Sequence, residues 1–288
     1  MSLGYGAPAS SLIDSEVVRV AEESPGYLRV VFDNPPLNYF DPEVFAGLGL
    51  LQRYVEDKAG DVRVLVFESA NPDFFFAHVD FPRIAEVSEA PGGRSLIENW
   101  PRFSTWLSSA PVVSVSKVRG RARGIGNEFV LANDLRFASR EKASFCQIEV
   151  GFGMVPGGGG LEWLPRHVGR ARALEIILSA DDVDAPTAEL YGLVNRALPD
   201  AELDEYVDRL ARRIAGFPSQ SIATTKALVG SRQDLPTEED LRESFAAILR
   251  LAGTDESKAI SARVRRKAGG TLAPAELDLP KWYGPEQR

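Results

Sequence analysis

The chain has 288 residues, 33 of them basic and 41 acidic, for a formal net charge of −8. That length buries a substantial core as one large domain or a domain with an appendage, and the acidic balance excludes a protein built as a whole to bind nucleic acid. One cysteine, Cys146, and two histidines, His78 and His167, exclude an intrachain disulfide framework and a zinc-ligand cluster, so no metal is expected.

No apolar run approaches the ~18 residues of a membrane span, and the start MSLGYGAPASS has no basic-then-apolar leader pattern. A soluble, cytoplasmic protein is expected. Glu16 to Val20 and Leu28 to Phe32 read as two strands around Ser24-Pro25-Gly26, an opening hairpin. Asp41-Pro42 gives an N-cap followed by proline at the first helical position, with Phe45, Leu48, Leu51 and Val55 as the apolar stripe. Val62 to Phe67 reads as a parallel strand covered on both faces and closes a first β-α-β unit. The segment Asn71 to Asp80 reads as a loop whose three phenylalanines, Phe74 to Phe76, either pack inward or line an apolar ligand site. Residues 93–109 carry Ile97, Trp100, Phe103 and Leu107 at helical spacing, with Pro101 as a kink.

Lys117 to Glu149 is the most informative stretch. Val112 to Val118 supplies a strand, Gly120, Gly124 and Gly126 a turn, Asn127 to Ala132 a short helix, and a second strand and the acid Glu149 follow. The first N–H groups of that helix have no internal partners and can face an anionic oxygen. Gly151 to Gly160 reads as a flexible or closely approached loop, Arg170 to Ser179 as a helix, Ala185 to Gly192 as a short helix and Leu193 to Leu198 as a last strand. From Ala201 the pattern is helical, with Leu203, Val207, Leu210 and Ile214 on one face and further helices over Ser219 to Val229, Thr237 to Ala252 and Asp255 to Lys267. Residues 1–200 are therefore expected to form a core and 201–288 a helical region, with no structure assigned to the Gly- and Pro-rich tail from Gly269.

Four stretches in this order resemble the crotonase superfamily, the enoyl-CoA hydratase/isomerase group. They are Asn34-Pro35-Pro36; Phe76 to Asp80, similar to F-C-A-G-A-D; Val118 to Asp134, similar to V-N-G-x-A-x-G-G-G-x-E-L-A-x-x-C-D; and Gln147 to Gly160, similar to Q-P-E-x-x-L-G-x-x-P-G-x-G-G. The resemblance implies an α/β fold, a spiral of β-β-α turns with a C-terminal helical region, assembled as a homotrimer or a dimer of trimers. It implies an acyl-CoA thioester as ligand, with no cofactor beyond the coenzyme A of the substrate. Matched by motif, the backbone N–H groups of Val79 and Ile125 hold the thioester oxygen, and Glu128 and Glu149 are the hydratase glutamates. Ala77, His78, Asp80, Phe81, Gly124, Pro156 and Gly157 fall at substrate positions.

Hydration of a conjugated thioester builds charge on the carbonyl oxygen, moves a proton off water and delivers another to the α-carbon. Two fixed N–H donors and two carboxyls in different protonation states meet those needs. The expected division is Glu149 as acid and Glu128 as base; the alternatives are a double-bond isomerase or other thioester enzyme of the superfamily, or a weakly catalytic acyl-CoA-binding protein. The chain departs from the family pattern at Ile125 and His78, where glycine is usual, and at Asn133, where cysteine or a small residue is usual. Ile125 resists positive φ and adds bulk, so the oxyanion hole is intact, shifted or narrowed. Arg119, Arg121 and Arg123 form either a solvated basic face or contacts to a CoA phosphate or substrate carboxylate. Trp100, Phe103 and Trp106 belong to the core or to an acyl-pocket wall.

Overall fold

The computed structural model describes residues 11–80, 83, 99–267 and 276–283. Strand β1 (Val18–Ser24) buries Val18 and Val20 and exposes Arg19 between them. It pairs antiparallel with β2 (Tyr27–Phe32) across Pro25-Gly26, where Gly26 takes φ 83°. The hairpin starts later than the apolar pattern predicts, because the Ser15 hydroxyl accepts the Val18 N–H and holds Glu16 out of the ladder. Helix α1 (Pro42–Asp57) follows, with Asp41 Oδ1 accepting the Val44 N–H at 3.0 Å as its N-cap.

Strand β3 (Val64–Ser69) then pairs parallel with β2, and β5 (Val113–Val118), β7 (Leu135–Ser139) and β10 (Arg196–Leu198) extend the sheet in the order β1-β2-β3-β5-β7-β10. Alternation along β3 assigns its two faces. Leu65 and Phe67 enter the main core with Phe32, Phe75, Phe76 and Phe129, whereas Val64 and Val66 pack against Leu203, Val207 and Ala211 of α7 (Asp200–Ala215). Leu210 and Ile214, on the predicted face of α7, are half-buried at its margin.

Each turn of chain adds a second, short strand to a parallel layer above the main sheet. Strand β4 (Phe74–Phe76) follows β3, β6 (Arg121–Arg123) follows β5, and β8 (Ser144–Cys146) follows β7; β9 (Val183–Asp184) closes this sheet antiparallel. The molecule is thus a spiral of β-β-α turns, as the motifs imply. Phe74 to Phe76 form a strand rather than a loop and pack inward, all three being buried. The turn predicted over Gly120 to Gly126 is interrupted by β6; Gly120 and Gly124 take positive φ, whereas Gly126 lies inside α3 (Ile125–Ala132).

Helix α2 (Trp100–Ser109) has Pro101 in its first turn, so the proline starts the helix and does not kink it. The predicted start of this segment, including Ile97, lies outside the described residues. Helix α4 (Gly160–Val168) begins at the last residue of the expected glycine loop and covers a stretch to which the sequence assigns no element, because Gly159, Gly160 and Pro165 obscure the stripe of Trp163, Leu164 and Val168. The remaining helices, α5 (Arg170–Ser179), α6 (Ala185–Tyr191), α8 (Ser219–Gly230), α9 (Glu238–Ala252) and α10 (Asp255–Lys267), match expectation closely. The tail adds what its composition hid, a helical turn α11 (Pro280–Tyr283) and a fully buried Glu276. Among the described residues no helix is long and apolar enough to cross a membrane.

Leu203 is 0% exposed beneath the main sheet, so Leu203→Ala should lower the unfolding free energy by about 2–5 kcal/mol. The half-buried Leu210→Ala should cost distinctly less. Urea titration of both variants checks the assignment of faces.

Candidate active site

Gly124 joins β6 to α3 at φ 51°, ψ −124°, a conformation that a side chain opposes. It absorbs the positive φ of the turn and leaves Ile125 as an ordinary first helical residue; among the described residues only Asn38 and Ala180 have positive φ without being glycine. The strain expected at Ile125 is therefore absent, and its side chain lies 7% exposed in the main core. A Cβ on Gly126 would stand 2.7 Å from Phe76 Cβ, so glycine there lets α3 settle on β4. Asn133 ends α3 by donating its Nδ2 hydrogen to Phe129 O at 2.7 Å.

The other wall comes from β4 and the turn after it. Phe40 N–H donates to His78 O at 2.8 Å, and Asp80 N–H to Phe40 O at 3.3 Å. In a trans peptide the two polar edges point opposite ways, so the Val79 N–H faces away from Phe40. No backbone carbonyl of the described residues takes the N–H of Val79 or Ile125, and both residues line one cavity of about 250 Å³.

Glu128 and Glu149 line the same cavity. Glu128 Oε1 accepts the N–H groups of Gly158 and Gly160, each at 2.9 Å. Gly158 O in turn accepts the Trp100 indole N–H at 2.8 Å. A Cβ on Gly158 would come within 2.3 Å of Glu128 Oε2 and one on Gly160 within 2.5 Å of Gln147 Nε2. The glycine run is thus closely approached, and its backbone serves a carboxylate rather than a phosphate. Asn127 Nδ2 donates to Gln147 Oε1 at 2.7 Å, and Gln147 Nε2 to Glu149 Oε2 at 3.3 Å, which ties Glu149 through one amide chain to Asn127, the residue before Glu128.

Burial raises the pKa of Glu128 to about 7 against the opposing pull of the Gly160 and Gly158 hydrogen bonds. Burial and then the charge of Glu128 push Glu149 well above the ordinary carboxyl range. The first proton to leave the pair comes from Glu128, whose two backbone donors at 2.9 Å receive the charge better than the 3.3 Å Gln147 contact does at Glu149; Glu149 stays protonated beside it.

Of the sequence-predicted site residues, the cavity gathers His78, Val79, Asp80, Gly124, Ile125, Glu128, Glu149 and Gly157. Ala77 and Pro156 do not line it: Ala77 packs with Phe74 and Leu37, and Pro156 lies beneath Gly160. Phe81 lies outside the described residues. Trp100 is both core and cavity wall. The arginine run splits three ways, with Arg119 paired to Asp200 and Asp204, Arg121 over the Phe74 ring, and Arg123 fully buried against Asp182. His167 is a packing residue, stacked on Trp163 with Nε2 2.9 Å from Leu131 O. Sequence reasoning missed Tyr39, Phe245, Ile248, Glu276 and Leu279. Four of these come from the C-terminal helices and tail, and no local motif links them to the site.

Both glutamates have folded pKa values above the ordinary 4.5, so the folded state binds more protons than the unfolded one. Their favourable contribution is full below 4.5 and is lost as pH rises, for Glu128 through about 7. Thermal melts of Glu128→Gln and Glu149→Gln should therefore show a stability gain over the parent that is larger at pH 8 than at pH 5.

The enoyl-CoA hydratase/isomerase sequence family matches residues 22–259. A crystal structure of a candidate enoyl-CoA hydratase from Streptomyces avermitilis superposes with a TM-score of 0.86 at 38% identity, covering 96% of this chain and 100% of that one. The human mitochondrial enoyl-CoA hydratase domain-containing protein 2 is 30% identical over 283 residues, 97% of this chain and 92% of its own. A candidate mitochondrial enoyl-CoA hydratase of Dictyostelium discoideum is 31% identical over 169 residues, 59% of this chain; the match spans just over half, 57%, of that protein's length.

Proposed function

The chain belongs to the enoyl-CoA hydratase/isomerase family, and on that premise we propose that it adds water across the α,β double bond of an acyl-CoA thioester. The observation that carries this reading is the unequal pair of carboxyls, Glu128 held by two backbone N–H donors at 2.9 Å and Glu149 buried with a longer, 3.3 Å bond from the Gln147 amide. A reaction that must accept one proton and deliver another needs that inequality.

In the proposed step the thioester oxygen sits between the N–H groups of Val79 and Ile125. Glu128 carboxylate takes a proton from water as the water oxygen bonds to the β-carbon. The electron pair of the double bond moves toward the thioester, and the resulting enolate charge falls on the oxygen that the two N–H donors hold. Glu149 then gives its proton to the α-carbon, and the carbonyl reforms. Loss of one such donor elsewhere typically costs about 3 kcal/mol. Coenzyme A enters as part of the substrate.

Crotonyl-CoA and an aromatic enoyl-CoA, followed by loss of the conjugated chromophore and product mass, test the reaction. Glu149→Gln should reduce hydration by about 10²–10⁴-fold, and retained activity would sink the role given to it. The kcat profile should rise with pH through about 7 as Glu128 ionises and fall at higher pH as Glu149 loses its proton, the two limbs belonging to the coupled pair. A β,γ-enoyl thioester that shifts its double bond while the α,β-isomer takes up no water would move the reading to isomerisation.

The assembly we propose is a homotrimer or a dimer of trimers. It is supported by α8, which has no buried residue, and by Phe217, Leu228 and Val229, which are about half exposed on and beside it. Sedimentation at micromolar concentration should give three or six chain masses, and Leu228→Glu should lower that number; a single chain mass for the parent would end this reading.

A further inference from the structure

One corner of the cavity carries polar groups that the hydration step does not use. His78 lines it, and both ring nitrogens are committed: Nδ1 lies 2.7 Å from Val79 O and Nε2 lies 3.0 Å from Glu276 Oε1. A carbonyl oxygen only accepts, so Nδ1 carries a proton, and Nε2 and Glu276 Oε1 share the next one. The Glu276 side chain is 0% exposed, and its backbone carbonyl accepts a hydrogen bond from the buried Arg123 guanidinium. The residue is therefore anchored through both backbone and side chain.

Its second oxygen, Oε2, is buried and has no hydrogen-bond partner among the described residues; no other described residue lining the cavity has a buried side-chain nitrogen or oxygen in that condition. The Tyr39 ring centroid lies 5.0 Å from that of His78. Burial, then the charges of Glu276 and Asp80 and the approach of the hydroxyl to the Glu276 carboxylate, push the pKa of the Tyr39 hydroxyl up, so it keeps its proton.

This cluster is not required to hold the neighbouring backbone. The two hydrogen bonds with Phe40 already clamp residues 78–80, so the imidazole and carboxylate add a buried polar pair at a cost in desolvation. A free carboxylate oxygen in such a place is stabilised by a donor, and the carboxylates of Asp80 and Glu128 outnumber the one guanidinium, Arg265, among the described lining residues, which disfavours an anion. We propose that Glu276 Oε2 and the Tyr39 hydroxyl form a polar subsite for a hydrogen-bond donor, hydroxyl or amide N–H, borne by the thioester ligand. His78 is the positioning residue that aims Glu276. The inference rests on the thioester reading of the site, and the donor has two sources, the acyl group or the pantetheine arm.

Calorimetric titration of the full chain with free CoA, butyryl-CoA, 2-hydroxybutyryl-CoA and 4-hydroxybutyryl-CoA tests it without relying on turnover. Tyr39→Phe removes one hydroxyl and keeps the ring, Glu276→Leu removes both oxygens, and Glu276→Gln keeps an acceptor. Tyr39→Phe and Glu276→Leu should each weaken the donor-bearing ligand by about tenfold or more, with Glu276→Gln partly restoring it. A loss confined to a hydroxybutyryl ligand assigns the donor to the acyl group; an equal loss for all four, shared by Tyr39→Phe, assigns it to pantetheine. Unchanged affinities in Tyr39→Phe and Glu276→Leu, or a loss in Glu276→Leu with Tyr39→Phe silent, would overturn the subsite. Failure of the parent to bind any of the four would overturn the thioester reading beneath it.

Discussion

The rest of the site depends on where one carboxylate is held. Glu128 lies at the start of a short buried helix, and its Oε1 receives two N–H groups from the glycine loop thirty and thirty-two residues later. Such bonds offset burial only when both donors arrive without side chains, and a Cβ at Gly158 would already overlap the carboxylate. The glycines that look like loop punctuation are therefore part of the acid's solvation. Because the charge of Glu128 is accommodated, the neighbouring Glu149 is left as the protonated member of the pair.

The spiral makes that arrangement possible. Successive turns add one strand to the main sheet and one to the smaller sheet, and the β6-to-α3 turn comes to lie beside β4. Phe76 touches Gly126 across that contact, which brings the turn after β4 and the first turn of α3 to the same cavity. The two free N–H groups come from elements 46 residues apart, each oriented by its own backbone, one by a peptide clamped to Phe40 and one by a helix start. Backbone donors fixed in this way need little reorganisation when charge appears between them. Ile125 is accommodated because Gly124 supplies the left-handed conformation and the core takes the side chain.

The helical half closes the cavity and gives it its individual character. Ile248 sits over Gly157, and Leu279 lines the wall, so the apolar enclosure that raises the two carboxyl pKa values is partly built from residues far along the chain. Glu276 and His78, 198 residues apart, meet in the same way. Val79, Ile125, Glu128 and Glu149 come to the cavity from the motif stretches, whereas Tyr39, Ile248, Glu276 and Leu279 come from outside them.

What the sequence determined by itself was whatever depends on near neighbours. An unbroken apolar run marked Val62 to Phe67 as a two-sided strand, Asp41-Pro42 marked a helix start through its cap, and the family resemblance pointed to Gly124, Glu128, Glu149 and Gly157 as candidate site residues. Tertiary structure decided the rest. Phe74 to Phe76 became a strand only because β6 was there to pair with it, and α4 formed because its Trp163 and Leu164 found the core despite glycine and proline around them. Arg123 proved a buried anchor and not a ligand contact, and the tail supplied Glu276, because partners distant in the chain decide burial and burial decides the charge state of an acid. Local pattern carries backbone preference; solvation and pKa belong to the assembled fold.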